Sequence, residues 1–307
     1  MNEPFVHSRS IDSQSRPALV ATDEASLSRA MGAFEAAGVS PAETHLIGDI
    51  GIDQLAGHAV WLEVGEDQGD RLDRWLMAFS AFADQSNLPA RVSVVSPLLD
   101  IVAAQIDSDV EIIVAPGPVE RAAAVATLQA EAALRSLGYE TRGVEDQARL
   151  RHLSEEVSRI AAALSHLTAQ ENGAGGFGDQ RPRPAVSRSD AAPPSVSVER
   201  VRETIRARRL RERFFDADYF ADPAWDMLLD LFAAQLTNQR VPVSALCLAA
   251  AVPATTALRW MKTLTDAGLF IRRADPRDGR RVFIELSDSA GEGMHRYFAE
   301  LDGISAA

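Results

Sequence analysis

The chain has 307 residues, 46% of them apolar and 24% charged, with a formal net charge of −13 and a single cysteine, Cys247. That length suits two modest domains with a sizeable core, and one cysteine excludes an intrachain disulfide framework and fits a reducing compartment. The polar opening from Met1 to Pro17 lacks the basic-then-apolar order of a secretory signal, and no apolar run is long enough to span a bilayer, so a soluble cytoplasmic protein without a membrane partner is expected.

The acidity is unevenly distributed. Residues 17–143 hold 7 basic and 19 acidic side chains, a net of −12, whereas residues 198–307 hold 16 of each. Within the neutral part, residues 259–281 carry seven basic and three acidic side chains, a net of +4. The global charge argues against nucleic acid, but the local one leaves a nucleic-acid partner open.

After an expected disordered tail at 1–16, short β-branched runs alternate with helical stretches. Strands are predicted at 18–22, 44–49, 59–64, 91–96 and 110–115, and helices at 24–38, 70–86, 98–106 and 118–138. The later strands are largely apolar, as parallel strands covered on both faces are. Alternating strand and helix implies βαβ units in a doubly wound, five-stranded parallel sheet over residues 17–142.

Residues 143–170 are expected to form a coiled-coil dimerisation helix, because Leu150, Leu153, Val157, Ile160, Leu164 and Leu167 recur at alternating spacings of three and four. A helix lying on its own domain would use the same stripe. Residues 171–197, rich in Gly, Pro and Ser, read as a flexible linker. The G-x-G-x-x-G at Gly173, Gly175 and Gly178 lies inside it. Without a preceding strand and a following helix it cannot cradle a pyrophosphate.

Residues 198–307 then read as helices at 198–215 and 224–238, a short extended segment at 240–244, helices at 244–251 and 253–269, a hairpin over 270–287 and a last helix at 289–301. That order is a winged helix-turn-helix, giving an overall fold class of α/β plus α+β. The second helix of such a motif enters the major groove. Here Ala257, Leu258, Met261, Leu264 and Leu269 can face the core, leaving Thr255, Thr256, Arg259, Lys262 and Thr263 outward. Arginine can hold guanine bidentately, and threonine can reach bases or phosphates. In the hairpin, Asp278-Gly279 is expected to make a tight turn that exposes Arg277, Arg280 and Arg281, with Arg273 on the strand. These arginines suit a phosphate backbone or a minor groove.

The stretch from Val252 to Met294 resembles the recognition helix and wing of the MarR family of transcription regulators. Leu264, Gly268, Leu269, Arg272, Arg273, Asp275, Asp278, Arg280, Arg281, Leu286, Ser287 and Gly291 carry the resemblance. It implies double-stranded DNA as partner and a homodimer joined through the helices at 198–215 and 289–302. Cys247 falls in an apolar helix, which favours an inert buried thiol over a redox sensor.

Residues 17–137 resemble the receiver domain of bacterial response regulators, with its chemistry altered. The acidic pair that would hold Mg²⁺ corresponds to Thr22 and Asp23, the phosphoryl acceptor to Glu63, the hydroxyl after the fourth strand to Ser96, the lysine to Ala115 and the aromatic switch to Ile112. Glutamate is one methylene too long for the usual in-line attack, so a phosphorylation-independent pseudo-receiver is expected, serving dimerisation or a protein partner. Glu63 is either a fixed mimic of a charged acceptor or a solvated edge carboxylate.

The six histidines show no metal-ligand spacing, and there is no P-loop or G-x-S-x-G elbow. No enzyme, cofactor or metal is expected. The leading expectation is a homodimeric, sequence-specific transcription regulator. The alternative is a protein-interaction scaffold or anti-regulator whose acidic domain masks a basic partner. A third arrangement joins them, the acidic domain competing for the basic face of its own chain.

Overall fold

Ala18, Leu19, Val20 and Ala21 are all inaccessible to solvent, and they form the inner strand β1 (Ala18–Ala21). The computed structural model describes residues 16–86, 89–106, 110–136, 196–215 and 220–305. Beside β1 lie β2 (Thr44–Leu46) and β3 (Val60–Val64), followed by β4 (Ala90–Val94) and β5 (Glu111–Val114). All pairings are parallel, in the order β2-β1-β3-β4-β5. The segment expected as a strand to residue 49 stops at Leu46, where the Asp49 N–H turns back to the Leu46 carbonyl at 2.9 Å.

The connecting helices are α1 (Glu24–Ala36), α2 (Asp70–Ser86), α3 (Leu99–Gln105) and α4 (Pro118–Ser136). Alternate strand residues point to opposite faces. Leu19, Trp61 and Ile113 pack with Phe34, Val125 and Leu128 of α1 and α4, and Phe34 meets Trp61 edge-on at 6.4 Å. Val20, Leu62 and Val92 belong to the other core with Leu76 and Phe79 of α2 and Val102 of α3.

The second half begins with α5 (Val198–Leu210), capped by Ser197, which accepts from the Arg200 N–H at 3.3 Å. The helix expected to reach 215 gives way to a 3₁₀ turn at Arg211–Arg213. Next come α6 (Pro223–Leu236), β6 (Val241–Pro242), α7 (Val243–Ala249), α8 (Ala254–Asp266), β7 (Phe270–Ala274), β8 (Val282–Leu286) and α9 (Asp288–Ser305). The strands make an antiparallel sheet in the order β6-β8-β7. Phe232 of α6 stacks on Phe298 of α9 at 5.7 Å.

Residues 16–136 and 196–305 belong to one compact unit. The apolar cluster on the α2–α3 face continues without a break into the winged-helix half, through Leu246, Met261, Ile284 and Phe298. Helix α3 packs on α7 and β8, and edge strand β5 packs on α8. The expected coiled-coil seam from Leu150 to Leu167, residues 1–15 of the expected tail and nearly all of the expected linker lie outside the described residues. Among the described residues, no single helix is long and apolar enough to cross a membrane.

Candidate nucleic-acid interface

Helix α8 is anchored on one side by Ala257, Met261 and Leu264, all buried. Their spacing of four and three puts them on one face, which turns Arg259, Lys262 and Thr263 outward, all exposed. Thr255 and Thr256 are half-buried at its start. The helix ends in Gly268 at φ +73°, with the Leu269 N–H returning to the Leu264 carbonyl at 2.9 Å and the Gly268 N–H to the Thr265 carbonyl at 2.9 Å. This pair of bonds satisfies orphan carbonyls of the last turn and aims the chain into β7. The Thr263 hydroxyl donates to the Arg259 carbonyl at 3.0 Å, so its proton is committed to its own helix.

The hairpin corrects one expectation. Asp278-Gly279 does open a tight turn, closed by the Arg281 N–H on the Asp278 carbonyl at 3.0 Å, but Arg280, expected to be exposed there, is half-buried. That turn lies within a wider loop, residues 275–281, between β7 and β8. The side chain of Asp275 accepts from the Arg277 N–H and that of Asp278 from the Arg280 N–H, both at 3.0 Å. Such side-chain acceptors replace the backbone ladder in turns. Arg277 and Arg281 are exposed on this loop, and Arg281 pairs with Asp278 at 3.5 Å. Arg273 pairs with Glu285 across the hairpin at 3.0 Å, and Lys262 pairs with Asp266 at 3.5 Å.

Three of the expected DNA-contacting residues bond to the acidic half. Thr255 Oγ1 accepts from the Val114 N–H of β5 at 3.3 Å. Arg259 pairs with Glu111, and Arg280 bridges Asp67 at 2.5 Å and Asp73 at 2.9 Å. Sequence reasoning assigned no role to Asp67, Asp73, Asp100, Gln105, Glu111 or Ser244 at this seam. Asp100 accepts from the N–H and the hydroxyl of Ser244, at 2.8 and 2.6 Å. Arg272 donates to the Ala103 carbonyl, and the Gln105 side-chain amide donates to the Gly279 carbonyl at 3.2 Å. The one signal available beforehand was the charge asymmetry between the halves.

Electrostatics follow the pairing. The hydrogen bond from Arg280 holds the Asp67 carboxyl below its ordinary range and raises Arg280 in turn. Burial alone would raise Glu111, but hydrogen bonds from Arg259 and Arg91 outweigh it and leave the carboxyl lowered. Buried Arg91 extends the chain of charges, holding Glu111 at 2.7 Å and Glu131 at 2.8 Å. An open cleft of about 460 Å³ lies beside this seam, lined by Asp67, Ile101, Arg280 and Arg281 among others.

The positions singled out by the receiver resemblance have a different chemistry. Asp23 caps α1, accepting from the Ser26 N–H at 2.8 Å, the Ser26 hydroxyl at 2.5 Å and the Thr22 hydroxyl at 2.8 Å. Glu63 is only 2% exposed and lies in the inner strand β3, which corrects the solvated-edge alternative. It accepts from the Trp61 indole at 3.0 Å and sits 3.4 Å from Arg121 and 3.7 Å from Arg29. Burial raises its pKa despite these partners. Ser96 and Ala115 are exposed at the strand ends, Ala115 at φ 44°. Two guanidinium groups already face Glu63 and the Asp23 carboxylate is spent on a helix cap, so these residues do not fit a divalent cation. Cys247 is buried, and its thiol is pushed up to about 12 by burial and by nearby Asp100.

Comparison with known proteins gives one family match: residues 227–290 fit the model described as winged helix DNA-binding domain. No curated protein matches the chain. Among solved structures, the crystal structure of adhesin competence repressor (AdcR) from Streptococcus pyogenes is similar at 17% identity. That similarity covers 36% of this chain and 81% of the other, with a TM-score of 0.22. The C-terminal part of this chain therefore carries a winged helix DNA-binding domain.

Proposed function

We propose that the protein is a homodimeric, sequence-specific transcription regulator of the MarR type that acts in the cytoplasm without enzymatic activity. The observation that carries this reading is the fit of residues 227–290 to a winged helix DNA-binding domain. The amphipathic α8 and the arginine-bearing loop 275–281 support it. Thr255, Thr256, Arg259, Lys262 and Thr263 read base edges, while Arg273, Arg277, Arg280 and Arg281 grip the backbone or minor groove. Two-fold symmetry sets half-sites roughly 10 bp apart. Residues 143–170 join the protomers, residues 171–197 link the halves, and the receiver-like half at 17–142 works without phosphorylation. The internal neutralisation of Glu63 by Arg121 and Arg29 supports that last point.

Fluorescence anisotropy of the full chain on selected duplexes, at several salt concentrations, tests the reading. Saturable binding that weakens linearly in log salt is expected, and no binding at low salt overturns it. Arg277, whose side chain is exposed at the loop tip, is the cleanest probe of a backbone contact. Arg277→Ala should weaken binding evenly across sequences and reduce the salt slope by about 1, whereas Arg259→Ala should relax base preference by about 1–3 kcal/mol. Incubation with acetyl phosphate and Mg²⁺ should leave the intact mass unchanged.

A further inference from the structure

We propose that the acidic face made by Asp67, Asp73 and Glu111 is a built-in competitor for DNA, occupying the reading helix and the wing of the same chain. This rests on the DNA-binding function proposed above. The match is chemical as well as spatial. Arg259, placed to read a base edge, holds the Glu111 carboxylate. Arg280, placed to grip phosphate, holds two carboxylates, Asp67 and Asp73. Carboxylate oxygens stand in for phosphate oxygens as acceptors of charge-assisted bonds. Thr255, at the entry of α8, is spent on the free edge of the sheet, where its hydroxyl satisfies the Val114 N–H. An open sheet edge is thereby covered by the helix that would enter the groove.

Contacts that are not ion pairs make the closed arrangement more than a salt-sensitive encounter. Asp100 fastens the first turn of α7 through Ser244, Arg272 and Gln105 cross the seam at the end of α3, and a single apolar cluster continues across it. With Arg259 on Glu111 and Arg280 on Asp67 and Asp73, neither guanidinium can hold a base edge or a phosphate without giving up its carboxylate partner, so DNA competes with these carboxylates. A protein whose competent state is fractionally populated binds more weakly by that fraction.

The test uses the full chain and a labelled random-sequence duplex at low salt, with hydrogen exchange of α8 and β5 followed in parallel. Two variants open the seam by different routes: Asp67→Asn/Asp73→Asn/Glu111→Gln removes the mimic, and Ile101→Arg places a third cation in the cleft beside Arg280 and Arg281. Both should bind about tenfold or more tightly than the wild type, as expected for release from a state that is about 90% closed, with faster exchange in α8 and β5. Glu35→Gln/Asp49→Asn/Asp53→Asn makes the same charge change on exposed residues away from the seam and should bind like the wild type. Equal affinity of the wild type and both seam variants overturns the competitor and leaves the DNA-binding function standing. Equal tightening by the control triple also overturns it, because bulk charge then accounts for the gain. Faster exchange without any DNA binding overturns the DNA-binding function itself and the competitor with it.

Discussion

At Glu63 burial, an indole donor and two guanidinium groups act on one carboxylate, and burial wins, because its pKa is raised. Folding therefore makes this carboxyl hold its proton more readily than it does in the unfolded chain. A raised folded pKa gives a contribution that is full below the ordinary value of 4.5 and is lost as pH rises through the folded value. Glu63→Gln, which mimics the neutral form, should melt at a higher temperature than the wild type at pH 7. The difference should close as pH approaches 4.5, and a lower melting temperature at pH 7 would sink this account. The sequence placed Glu63 at the end of a strand. It could not give the direction of the side chain, because that depends on which face α1 and α4 cover. Trp61 and Glu63 share that face by strand parity, and Arg29 and Arg121 arrive from those two helices.

Among the elements, the helices were the most legible, since their apolar period and their capping residues lie within a few positions of one another. Asp222 followed by Pro223 opens α6, and the Asp222 carboxylate accepts from the Trp225 N–H at 3.2 Å. Asp222→Ala should cost about 1 kcal/mol in urea denaturation. Gly268 at φ +73° is the hinge between α8 and β7. Nothing blocks a Cβ there, so Gly268→Ala should cost about 1–2 kcal/mol through backbone strain alone. The hairpin loop was the least legible element. Asp-Gly marks a tight turn, which is present, but the loop around it is longer and is also shaped by Asp275 and Asp278 bonding nearby backbone N–H groups.

For the molecule as a whole, acidic and basic surfaces are brought together within one chain, and this shapes its response to pH and salt. Asp67 and Glu111 both have lowered pKa values in the closed arrangement. Their contribution is therefore full above the ordinary carboxylate range and lost as pH falls through the lowered values. The wild type should lose stability on acidification more steeply than Asp67→Asn/Asp73→Asn/Glu111→Gln, as read from urea midpoints between neutral and acid pH. Salt screens the intramolecular ion pairs as well as the contacts to DNA. The apparent salt slope for DNA binding should accordingly be shallower for the wild type than for that triple variant, and equal slopes would count against the competitor.

Local order along the chain, set by interactions spanning three or four residues, was enough for the sequence to determine the five-stranded parallel sheet, the winged helix and the basic character of α8 and its hairpin. Tertiary structure alone decided which carboxylates those cations meet. Arg259 and Glu111 are 148 positions apart and Arg280 and Asp67 are 213 apart. No periodicity reaches that far. Such pairs need the packing of α3 and β5 against α7 and α8, which a continuous apolar cluster supports.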